Sequence, residues 1–197
     1  MNTAADLILI GALAGVWLAA GLLAETLPTA RTALELRRRS VLLSTVIALG
    51  AAVFVAIPIV AGLLPGESAA PAAALLPAVP ALTVLVVSFR RLTRVRQGAG
   101  AFAAAPQTPA PPALRAAAAH PLITTPLQVT GLAALVGLPI AAGIISVPGA
   151  SVAGILISVV AATVLIIGIR AAIRHSRLSL LALAPIRTSR RIPVRTR

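Results

Sequence analysis

The chain has 197 residues, of which 59% are hydrophobic and 11% charged. Soluble domains carry about 25% charged residues, so this composition excludes the water-soluble class and implies one small polytopic membrane domain. The formal charge of +13 rests on arginine alone, because Lys is absent and the acids are only Asp6, Glu25, Glu35 and Glu67.

Arginine in place of lysine accompanies heavy use of Ala, Pro and Gly, the mark of a GC-rich coding bias, and says little by itself about phosphate chemistry. With no Cys, disulfides, thiolate metal sites and thiol nucleophiles are excluded. The apolar runs are continuous rather than alternating, which predicts membrane helices and not a barrel.

The first run, about Leu7 to Leu27, is long enough to cross about 30 Å of hydrocarbon. It follows Asp6 rather than a basic segment, so it reads as a retained helix and not a signal peptide. Gly11, Gly15 and Ala19 recur every four residues, forming a smooth strip for helix packing. Trp17 falls mid-run and reads as a ring filling space beside the glycines, its N–H wanting a partner inside the bundle. Glu25, near the end, reads as an interfacial carboxylate beside Arg31, the alternative being a buried proton or ion site.

Arg31, Arg37, Arg38 and Arg39 precede the second run, Val41 to Leu64, in which Pro58 predicts a kink. PGES, from Pro65 to Ser68, turns the chain. The third run, about Ala70 to Phe89, carries Pro71, Pro77 and Pro80, which predicts a helix from about Pro80 after an irregular outer portion. Arg90, Arg91, Arg94 and Arg96 close it.

Residues 98–125 form an Ala/Gly/Pro-rich linker with little fixed structure expected, apart from a helical turn over Ala113 to Ala119. The fourth run, about Leu127 to Val147, carries Pro139. Pro148 and Gly149 make a turn, and the fifth run, Ala150 to Ile169, exits through Arg170, Arg174 and Arg177. Residues 178–197 are a basic tail with a short interfacial segment.

Five crossings put the Asp6 end, PGES and Pro148-Gly149 on one side and every Arg on the other. By the positive-inside rule that second side is cytoplasmic. The expected fold is an all-α bundle of five transmembrane helices: residues 1–97 hold three and 126–177 hold two. The N-terminus lies outside the plasma (inner) membrane and the tail inside.

The second-third and fourth-fifth helices read as two parallel hairpin repeats. VAIPIVAGLL from Val55 matches VGLPIAAGII from Val136, and ALTVLVVSFR to Arg90 matches AATVLIIGIR to Arg170. Two uses follow. Arg90, Arg94, Arg170 and Arg174, placed just past helix ends, would bind anionic lipid headgroups and complement the helix dipole. Pro58 and Pro139, with Glu25, would mark a transport site if breaks at matching positions face a central cavity.

His120 and His175 have no carboxylate or second His at metal-ligand spacing. Neither paired acids nor a phosphate-binding glycine loop appears, so the reading is of no enzyme, metal or cofactor. The basic tail lacks the aromatic residues that stack bases, which argues against nucleic acid. The expected function is an accessory or scaffold subunit packing against other membrane proteins, or itself, and against anionic lipid; the alternative is a small transporter or channel component.

Overall fold

Apolar runs of this length leave the backbone one way to satisfy its own N–H and C=O groups in hydrocarbon, the helix. The computed structural model describes residues 2–105 and 107–145, with Thr163, Ile166, Gly168, Ile169, Arg170 and Ile173. Among them the only extended pairing is an isolated bridge between Thr32 and Pro109. Helix α1 is Thr3–Glu25, followed by a 3-10 turn at Leu27–Thr29, and α2 is Ala33–Leu63. Helix α3 runs Ala70–Phe102 with one π-helical turn over Val84–Ser88. Then come α4 at Pro112–Ala118, α5 at Pro121–Val136 and α6 at Leu138–Ala141.

Four stretches, Thr3–Thr29, Ala33–Leu63, Ala70–Phe102 and Pro112–Ala141, are long and apolar enough to cross a membrane. The protein is therefore a helical membrane protein. Its outward faces fit that environment: Leu63 is 80% exposed and Leu22 67%, surface that water would penalise and lipid does not. The expected fifth run lies outside the described residues except for Thr163, Ile166, Gly168 and Ile169, as does most of the second descending half of the repeat.

Helix α1 is the centre of the bundle, packing most extensively on α5 and next on α2. Its buried face is Ile10, Leu13, Ala14, Trp17, Ala20, Gly21 and Ala24, a helical spacing. Gly11, Gly15 and Ala19 are not on it; among the described residues a Cβ on Gly11 or Gly15 would meet nothing within 4 Å. The reason is angular. At about 100° per residue, positions 15 and 19 lie nearly opposite Trp17, and the indole takes the interior. Trp17 lies against Gly50 of α2, where a Cβ would come 2.9 Å from Cε2. Its Nε1 has no hydrogen-bond partner among the described residues, contrary to the expected one.

The smooth contact with α5 is made by other glycines. A Cβ on Gly131 would sit 2.8 Å from Leu18 Cδ2 and 2.9 Å from the Leu18 backbone nitrogen, and one on Gly21 would sit 3.2 Å from Gln128 Cγ.

The first half of α3 is helical from Ala70, not irregular. Pro71 falls in the first turn, where its missing N–H leaves no bond unmade, while Pro77 and Pro80 are buried inside the helix. One of the carbonyls these prolines free packs against the C-terminal end of α5. Pro77 removes the bond to the Ala73 carbonyl, and Gly137 packs so near that a Cβ would be 3.1 Å from that oxygen.

In α5 the same device runs in reverse. Pro126 frees the Leu122 carbonyl, and buried Ser88 of α3 donates its hydroxyl to that oxygen at 2.7 Å.

The linker is also structured. Helix α3 continues to Phe102, α4 supplies the expected short helix, and α5 begins at Pro121 instead of about Leu127. The two loops at this end pair: Ala33 N–H donates to Thr108 O and Ala110 N–H to Arg31 O, each at 2.9 Å.

At the opposite end, the Asn2 side chain donates to Pro65 O at 2.7 Å. Buried Asp6 accepts from the Ser68 hydroxyl at 2.6 Å and from Ala69 N–H at 2.8 Å. The N-terminus thus clasps the PGES turn, in which Gly66 takes φ +96°, a left-handed conformation that suits glycine.

Candidate functional site

Two regions were marked by the sequence, the proline breaks with Glu25 and the arginine end. The structure does not bring the first set together. Pro58 is exposed in a continuous α2. Pro139 sits in the first turn of the four-residue α6, after the break at Gly137. Gly143 has φ +71° whereas its sequence counterpart Gly62 is helical. The matched prolines are therefore not matched breaks.

Glu25 is exposed and accepts from the Gln128 side chain of α5, not from Arg31. Of the buried hydroxyls, Ser88 is spent on Leu122 O of α5, and Ser40, Ser44 and Thr130 bond back to their own helices, at Leu36 O, Ser40 O and Pro126 O. Thr45 and Thr83, less buried, do the same. Such bonds leave little for a permeating solute to bind.

The arginine end is the organised polar region. Thr32 caps α2 by accepting from Glu35 N–H at 3.1 Å, and Glu35 reaches back to the Arg31 N–H at 2.9 Å. This is a variant of the capping box, in which Glu35 bonds the N–H of the residue before the cap and not that of the cap itself. Arg39, one turn on, pairs with Glu35 and also donates to Thr26 O and to Thr29 Oγ1. One guanidinium therefore ties the α1–α2 connection to the helix that follows it.

Beyond Phe89 the α3 helix leaves the apolar span and becomes two-faced. Leu92, Val95 and Ala99 are buried, while Arg90, Arg94 and Gln97 are exposed. Arg90 and Arg94 therefore lie inside the helix and not past its end, so the expected complement to a C-terminal dipole does not apply to them.

Helix α4 docks on this extension through Leu114, whose Cδ2 would lie 2.7 Å from a Cβ on Gly98. Between the two helices is a recess of about 170 Å³ lined by Arg91, Arg94, Val95, Leu114 and Ala117. A larger open groove of about 470 Å³ runs along α2 past Leu34, Arg37, Arg38, Val41, Leu42 and Thr45.

Arg170 is exposed. Its neighbour Gly168 packs near Thr125 and Val129 of α5, with 3.5 Å from a built Cβ to Thr125 Cγ2. Arg174 lies outside the described residues.

Sequence reasoning missed the Asp6 clasp, the Ser88 bridge, Gln128 and the convergence of Arg91 with Arg94. Spacing offered a signal only for the last, since positions three apart share a helix face. Among the described residues no group of three or more His, Cys, Asp or Glu could hold a metal ion. No family model, curated protein or solved structure matches the chain.

Proposed function

We propose that the protein is a non-catalytic accessory or scaffold subunit of the plasma membrane, packing against other membrane proteins and held by arginine to anionic lipid on the cytoplasmic side. The observation that carries this reading is the division of polar groups. Buried Ser40, Ser44 and Thr130 are spent on their own helices and buried Ser88 on a carbonyl of α5, while Arg31 of the α1–α2 connection and the arginines at the start of α2, in the α3 extension and in α4 stand at one end. The strip of Gly11, Gly15 and Ala19, left open by the described residues, is the face this reading assigns to a partner helix or a second copy.

A fifth crossing belongs to the same reading. Gly137 lies by Ala73, near the start of α3, and Gly168 lies by Thr125, near the start of α5. The chain is thus at the PGES end at one point and back at the arginine end at the other. The sequence matches between the two hairpins fit a parallel duplication whose copies have diverged in conformation around Pro58 and Pro139.

The test is quantitative co-purification of the tagged chain from native membranes, alongside solute and ion flux in liposomes holding the chain alone. The expected result is a stoichiometric membrane-protein partner and no flux above protein-free liposomes. Flux abolished by Glu25→Gln would overturn this reading in favour of a transporter.

A further inference from the structure

Positive charge at the arginine end is left largely uncompensated by the protein. Glu35 is taken up by Arg39 and Glu25 by Gln128, while Asp6 is at the opposite end with Ser68 and Ala69. Arg91 and Arg94 make no hydrogen bond or ion pair among the described residues, yet both line one recess. They stand one helical turn apart on α3, and no carboxylate lines the space between α3 and α4.

Two guanidinium groups converging without an acceptor repel each other, and a bound anion removes that repulsion while accepting several N–H bonds at once. The remaining walls, Val95, Leu114 and Ala117, are apolar.

Size narrows the ligand. At about 170 Å³ the recess is below the roughly 300–1,000 Å³ of clefts that hold whole drug-sized molecules. It suits one tetrahedral anionic group with a few carbons attached. Depth agrees. Ser88 meets Leu122 at the level where α5 begins, and Arg91 and Arg94 follow within about 9 Å along the helix axis, in the two-faced part of α3 past its uniformly apolar residues, where a headgroup would lie on the anchoring reading.

We propose that the recess between α3 and α4 is a binding site for a phosphate ester, with Arg91 and Arg94 clamping the phosphate oxygens and Val95, Leu114 and Ala117 contacting the ester carbons. The site deepens the lipid-anchoring reading above and rests on it. The phosphate ester is either the headgroup of an anionic phospholipid or a soluble phosphorylated compound.

The experiment uses the full chain in nanodiscs. Native mass spectrometry counts retained phosphatidylglycerol, titrated into phosphatidylcholine discs, for the wild type, Arg91→Gln/Arg94→Gln and the equal-charge control Arg37→Gln/Arg38→Gln. A parallel arm titrates glycerol 3-phosphate and follows its phosphorus resonance. The expected result is one lipid bound about tenfold more weakly in the recess variant, the scale of a lost charge-assisted contact, against under about threefold in the control.

Arg91→Lys/Arg94→Lys keeps the charge and loses the planar fork, and should fall between the two. Binding of glycerol 3-phosphate that is lost in the recess variant assigns the site to a soluble ester; lipid binding without it assigns the site to the bilayer. Equal weakening by both Gln pairs, or none by either, overturns the site, since diffuse surface charge would then account for the binding. A wild type with no preference for anionic lipid and no glycerol 3-phosphate binding overturns the anchoring reading as well. Retained helicity and thermal transition of each variant in detergent separate loss of binding from loss of fold.

Discussion

Gly50 decides how α1 and α2 meet, because the largest buried side chain of the chain, Trp17, rests where a Cβ would be. Gly50→Val should therefore overpack the contact and destabilise the bundle by about 1–3 kcal/mol. Gly15→Val, at a site open among the described residues, should change stability far less. Thermal unfolding in detergent checks both, and the single Trp reports the contact by its fluorescence. Asp6→Ala should loosen the start of α3 by about 1–2 kcal/mol, the usual range for a lost cap, seen as faster hydrogen exchange over residues 69–73. Unchanged exchange there would mean that the clasp is not holding the turn.

Across elements, the prolines explain contacts that helix propensity does not. Ser88 donates to the carbonyl that Pro126 leaves without its intrahelical donor. Ser88→Ala should cost about 1–3 kcal/mol by leaving that oxygen unpaired. Pro126→Ala restores an intrahelical N–H, so in that background the cost of Ser88→Ala should shrink to within about 0.5 kcal/mol. A full double-mutant cycle by chemical denaturation measures the coupling; additive effects would show that the two positions act independently. The sequence could mark Pro126 as a helix breaker but could not say which helix would supply the missing donor, since only tertiary packing sets α3 directly against α5.

For the whole molecule, the absence of Cys makes topology testable with single introduced thiols. Glu67→Cys should react with a membrane-impermeant reagent on whole cells and Gln97→Cys should not. The fifth crossing is tested by Gly149→Cys and Ser176→Cys, expected to react at position 149 only. Labelling at both of these positions would leave four crossings, and labelling at position 97 would reverse the orientation.

Composition and run length by themselves determined that this is a helical membrane protein, because hydrocarbon leaves an apolar backbone no other way to satisfy its polar groups. The clustering of arginine between the apolar runs likewise followed from local sequence, whereas its place inside helices, at the start of α2 and in the extension of α3, did not. Which face of α1 turns inward was decided only by the tertiary structure. The strip of Gly11, Gly15 and Ala19 and the seam of Gly21 with Gly131 are equally smooth on paper, and the bulk of Trp17, needing Gly50 opposite it, chose between them. The same holds for the arginine end: spacing puts Arg91 and Arg94 on one face, but a recess exists only because Leu114 docks over Gly98, a contact between residues that no local pattern links.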